Sequence, residues 1–157
     1  MPKQKESIYF VKMSPKEAII EKLSKFRLVD KYLSFHEIMP GTFHADKQQQ
    51  LIVSDILDNC AKELIYLYKE AKKNPLKSHL KKVIFLHMEL ITHSVLDTAN
   101  KEFAFRLCWF LAEKTATHLP KQTAKKYWGY WQVEKNEVRT VMYRKPQTKM
   151  GSSKKTH

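Results

Sequence analysis

Glycine is scarce in this chain, with 3 in 157 residues, and so are cysteine, with 2, and long unbroken apolar runs. Few glycines argue against a turn-rich, all-β fold, which needs left-handed backbone at many tight turns. They also leave no loop to cradle a phosphate, since Gly41, Gly129 and Gly151 each stand alone. Cys60 and Cys108 form no Cys-x-x-Cys pair and have no histidines at zinc-finger spacing, so they read as buried free thiols. No apolar segment approaches the ~20 residues of a spanning helix. Met1 to Ser7 is polar, and Ile8-Tyr9-Phe10-Val11 is shorter than the apolar region of an export signal. A reducing cytoplasm is the expected location, with no membrane partner.

Acidic residues are in short supply too, 16 against 29 lysines and arginines, for a net charge of +13. Residues 1–74 contribute +3, residues 75–120 +2 and residues 121–157 +8, so the excess lies in the last quarter of the chain. Such a surface favours acidic partners, whether nucleic acid, anionic membrane or protein.

What is present is helical patterning in a composition that is 43% hydrophobic and 29% charged. Ser14-Pro15-Lys16-Glu17 has the form of a helix start: an N-cap serine, proline where no amide is needed, and glutamate to return the capping bond. The first helix then carries Ile19, Ile20, Leu23 and Phe26 on one face. Leu33 to His44, with its Pro40-Gly41 turn, reads as a loop. A long helix is expected from about Ala45 to Lys73, presenting Ile52, Ile56, Cys60, Leu64, Leu67, Tyr68 and Ala71 to a core. A third, from about Leu76 to Leu96, runs through the almost continuously apolar Val83 to Ile91 and is expected at the centre. Asp97-Thr98 caps a fourth, of the same buried type through Glu102 to Leu111, that ends before Pro120.

After Pro120 a short helix opens at Lys121, and residues 127–144 read either as a β-hairpin around Glu134-Lys135-Asn136-Glu137 or as a fifth helix. The expected fold is therefore mainly all-α, a four- to five-helix bundle over residues 1–144 with a flexible basic tail at 145–157. The expected core includes Ile20, Leu23, Ile56, Leu64, Ile84, Leu90, Leu107 and Leu111.

Two constellations invite a chemical reading. His87, Glu89 and His93 lie on one helix, but at 100° per residue His87 points about 160° away from Glu89 and about 120° from His93. No His-Glu-x-x-His or Glu-x-x-His spacing occurs, so no metal or other cofactor is expected, and Glu89 is read as pairing with His93 or Arg106. The second is Lys125-Lys126-Tyr127-Trp128-Gly129-Tyr130-Trp131, continued by Arg139 and Arg144. Basic groups there can neutralise phosphates while aromatic rings stack on unpaired bases, or the aromatics can close the open end of the helices and the lysines solvate the outside. The candidate binding residues are Lys125, Lys126, Tyr127, Trp128, Tyr130, Trp131, Arg139 and Arg144.

The run Leu96-Asp97-Thr98-Ala99-Asn100-Lys101-Glu102-Phe103, the aromatic-rich helix after it and the later Trp128-Gly129 resemble an uncharacterised bacterial family of small helical proteins, a domain of unknown function. The likeness spans about residues 45–131 and implies a compact helical fold, with no activity or site attached. With no phosphate loop, no Gly-x-Ser-x-Gly and no accessible thiol, the reading is a non-catalytic intracellular binding protein, immunity- or adaptor-like in class, with an acidic protein as partner. The alternative is single-stranded nucleic-acid binding through the basic aromatic segment.

Overall fold

The computed structural model describes residues 13–38 and 46–128, with the side chains of Ala124, Lys125 and Trp128 outside that set. Within it the chain is all-α: α1 Pro15–Leu28, α2 Lys31–Ser34, a 3-10 turn His36–Ile38, α3 Lys47–Glu70, α4 Lys77–Thr92, α5 Thr98–Lys114 and α6 Lys121–Trp128. No strand occurs among the described residues. Of the stretch 127–144 expected as hairpin or helix, Tyr127 and Trp128 end α6, and residues 129–144 and the tail at 145–157 lie outside the described residues.

Side-chain caps set most helix starts. The Ser14 hydroxyl accepts from the Glu17 amide at 3.1 Å and Glu17 returns the bond to the Ser14 amide at 3.2 Å, with Pro15 in the first turn. Asp46 and Asp97 each accept from the amide three residues on, at 2.8 Å. Asp30 accepts from Tyr32 and Leu33, and this cap starts α2, which with the 3-10 turn His36–Ile38 runs into the stretch from Leu33 expected to be a loop. Residues 39–45, with the Pro40-Gly41 turn signal, lie outside the described residues.

Helix ends are closed largely by lysines from elsewhere in the chain. The Lys16 amine on α1 donates to Ala71 at the end of α3, Lys101 on α5 to Thr92 at the end of α4 (2.9 Å), and Lys77 on α4 to Thr115 at the end of α5 (2.9 Å). Each cation meets the carbonyls and negative dipole end that a helix leaves unsatisfied. Part of the charge excess is thus consumed inside the fold. At the end of α5, Thr117 donates to Ala112 and Ala116 to Glu113, closing a Schellman turn with Ala116 at φ 52°.

Helix α5 is the centre, packing against α1, α3, α4 and α6. Phe103, Ala104, Phe105, Leu107, Cys108, Trp109, Leu111 and Ala112 are all buried on it. This overturns the expectation that the third helix, α4, is central: its Leu86 and Leu90 are 52% and 49% exposed. Leu90 is therefore not a core residue, and Ile20 and Ile56 are only half-buried. In α3 the buried face is Val53, Leu57, Cys60, Ala61, Leu64, Ile65 and Tyr68, turned from the expected one so that Ile52, Ile56 and Leu67 sit at its edge. Leu23, Leu64, Ile84, Leu107 and Leu111 are buried as expected.

Arg106 and Lys31 are buried with partners. Arg106 donates to Glu102 at 2.9 Å and to the Ile38 carbonyl at 2.7 Å, fastening the 3-10 turn to the central helix. Lys31 meets Asp58 at 2.6 Å while its ammonium lies 4.6 Å from the Phe26 ring centroid. Glu89 is accordingly paired with His93, as one of the two sequence readings had it, and Arg106 serves elsewhere.

Candidate functional site

A groove of about 520 Å³ opens between α4 and α6. Helix α4 contributes Lys82, Phe85, Leu86 and Glu89 to it, and α6 contributes Lys126 and Tyr127. The positions follow from helical spacing: 82, 85, 86 and 89 fall on adjacent turns of one side of α4. Its surface is mainly apolar, and Leu86 in it and Leu90, one turn further along α4 and outside the lining, are both exposed.

Glu89 organises the polar wall. Its Oε2 accepts from the Tyr127 hydroxyl and lies 3.4 Å from the Lys126 amine, while its Oε1 lies 3.5 Å from His93 Nε2. The Tyr127 hydrogen bond, with Lys126 and His93 adding favourable charge, holds the Glu89 carboxyl below the usual glutamate range. Burial and the Glu89 carboxylate push the Tyr127 phenol up, so it remains a donor. Glu89 is thus a fixed anion that fastens α6 to α4, the opposite of a raised-pKa general acid.

Of the candidate binding residues, the structure brings Lys126 and Tyr127 to the groove. Tyr127 is half-buried, its ring centroid 5.4 Å from that of Phe105 on α5, and the Lys126 amine stands 5.0 Å from its ring. It packs as a closing aromatic, with its hydroxyl already engaged. Lys125 and Trp128 belong to α6 but their side chains are outside the described set, and Tyr130, Trp131, Arg139 and Arg144 lie outside the described residues. Sequence reasoning missed Phe85, Leu86, Leu90 and Lys82 as surface groups. The signal that pointed to them was the excess of apolar positions on α4 beyond what one buried face can absorb.

Elsewhere the reactive groups are enclosed. Cys60 and Cys108 are buried free thiols, both pushed up by burial, with Cys60 raised further by the neighbouring Cys108 and Glu63. His87 is buried on α4; its Nδ1 bonds to the Val83 carbonyl at 2.8 Å and its Nε2 faces Glu63 at 3.7 Å, away from Glu89. Among the described residues no group of three or more His, Cys, Asp or Glu is arranged to hold a metal ion, and no helix is long and apolar enough to cross a membrane. No family model, no curated protein and no solved structure matches the chain.

Proposed function

We propose that this chain is a non-catalytic binding protein, immunity- or adaptor-like in class, whose partner is an acidic protein. The observation that carries the reading is the α4–α6 groove, an apolar floor with Lys82 and Lys126 at its edges on a chain of net charge +13. Such a surface gains from burying apolar area and from attracting carboxylates, the two contributions a protein partner supplies together. The enclosed thiols, and a carboxylate whose oxygens are taken up by its own neighbours, support a binding role over a catalytic one.

The competing reading, single-stranded nucleic acid, asks Tyr127 to stack on a base. Its ring is packed on Phe105 and its hydroxyl is engaged by Glu89, which counts against that use. The test is retention on the immobilised full chain, wild type against the Lys82→Glu/Lys126→Glu double variant, washed at rising salt. An acidic protein held by the wild type and released by the variant, then shown to bind as a purified component, is the expected result. Retained material that nuclease digestion removes would overturn the reading in favour of nucleic acid, and retention of no acidic protein would remove its support.

A further inference from the structure

We infer that the α4–α6 groove seats one amphipathic helix of that acidic partner, with apolar side chains on successive turns against Phe85, Leu86 and Leu90 and carboxylates turned toward Lys82 and Lys126. This rests on the reading above and adds the form of the contacting segment. Three features of the groove select it.

Leu86 and Leu90 are four residues apart on α4, about 6 Å along its axis, and each leaves half its surface in water. A ridge with that repeat is matched by side chains at i and i+4 of an approaching helix, as when one helix lies in the groove between two others. Isolated exposed leucines need no explanation, but Leu86 lines the groove beside the half-buried Phe85, and Leu90 is exposed one turn further along the same helix.

The second feature is charge. Lys82 and Lys126 flank the strip on opposite helices, both exposed, and Lys121 is exposed at the start of α6. The acidic residue in the groove, Glu89, is engaged by Tyr127, Lys126 and His93. An incoming carboxylate meets Lys82 on α4 and can compete for Lys126 on α6, whose contact with Glu89 is 3.4 Å and open to solvent. A second copy of this chain is a poor occupant by the same reasoning, because two bodies of charge +13 repel.

The third feature is size. A volume of about 520 Å³ accommodates two or three large side chains but not a folded edge, which fits a segment that inserts its side chains from one face.

The probe is a fluorescein-labelled synthetic peptide of about four helical turns, with leucines at i and i+4 positions on one face and glutamates beside them. Its controls are a peptide of equal composition with the leucines spread around the helix, and one with lysine for glutamate. Binding to the full chain is read by anisotropy at low salt, and the footprint by amide chemical shifts. Expected are preference for the amphipathic acidic peptide, shifts centred on residues 82–90 and 126–127, and at least about tenfold weaker binding to Leu86→Asp with its circular dichroism unchanged. Leu86→Ala serves as a second variant should the aspartate disturb the helix, with a smaller loss in the same direction.

Equal binding of the scrambled peptide, or a footprint away from the groove, overturns the inference while an acidic partner remains. Equal binding of the lysine peptide overturns it as well, by removing the charge argument. Self-association that Leu86→Asp abolishes assigns the groove to a second copy and overturns it. Failure of every acidic peptide together with capture of no acidic protein brings down both this inference and the reading it rests on.

Discussion

Glu102 with Arg106 and Glu89 with Lys126 are both carboxylate–cation pairs of this chain, but the first lies in the centre of the fold with side chains 5% and 1% exposed and the second at its edge with 42% and 67%. The buried pair sits within one helix at 2.9 Å and adds a bond to the Ile38 carbonyl, 68 residues away in sequence. The edge pair joins two helices at 3.4 Å and is exposed to solvent. Desolvation makes the members of the first dependent on each other, because a lone charge there has little solvent to turn to. In the second, water and salt stand ready to replace either partner. The same chemistry therefore fixes the fold in one place and leaves a replaceable contact in the other, and a surface meant to exchange partners needs the latter.

The largest effect expected from this contrast is that of Arg106→Ala. It leaves the Glu102 carboxylate buried without its guanidinium and the Ile38 carbonyl without that donor, a loss of about 3–5 kcal/mol. Urea unfolding measures it, and a loss below about 1 kcal/mol would show that water reaches the pair. Replacing both residues by methionine sharpens the point. With no orphaned charge the double variant should recover much of that stability, the remaining deficit being about 1–3 kcal/mol for the Ile38 carbonyl. Simple addition of the two single losses would refute mutual dependence.

Lys31 with Asp58 lies between the extremes, since the lysine is 1% exposed and the aspartate 31%. Lys31→Met keeps the stem against Phe26 and removes the ammonium, and Asp58 can turn to water. The expected loss is about 1–3 kcal/mol, again by urea unfolding, smaller than for Arg106→Ala. An equal or greater loss would mean that burial of one partner alone is decisive.

These pairs also separate what the sequence makes legible from what it conceals. The start of α1 at Ser14-Pro15-Glu17 and the cap of α5 at Asp97 are local signals, carried within four residues, and both stand as read. Glu89 with His93 is an i,i+4 pair and was legible for the same reason. The link from Arg106 to Ile38 depends on how the chain returns to itself, as does the choice of face on a helix with too many apolar residues. Val83 to Ile91 offers α4 more than one candidate core face, and only the positions of α3 and α5 decide that Leu80, Ile84, Met88 and Ile91 are enclosed while Leu86 and Leu90 are left out. In α3 the same ambiguity displaced the expected face by about one position, to Val53, Leu57 and Ala61. Lys126 and Tyr127 drew notice by composition, but their partner Glu89 lies 37 and 38 residues earlier, beyond any local pattern.

The smallest effect belongs to the edge, where Glu89→Gln tests whether that contact responds to pH as an exposed carboxylate should. In the folded chain the Tyr127 hydroxyl, Lys126 and His93 hold Glu89 below its usual value of 4.5. A lowered folded-state pKa means that the unfolded chain takes up the proton first as pH falls. The stabilisation is therefore complete above about pH 4.5, declines below it and is lost once the folded-state carboxyl is itself protonated. Thermal unfolding of wild type and Glu89→Gln between pH 7 and pH 3 should show a small constant advantage for wild type at the upper end that closes through the acidic range. Raised salt should shrink the part due to Lys126 and leave the part due to the Tyr127 hydrogen bond. The Tyr127 phenol, raised by burial and by Glu89, keeps its proton past the usual tyrosine range, so no second loss is expected on the way up to pH 10. An advantage that persists at pH 3 would show that Glu89 acts through packing instead of charge. A wild-type advantage as large as the loss in Arg106→Ala would erase the distinction between edge and centre, and with it the argument that this contact is free to be exchanged for a partner's carboxylate.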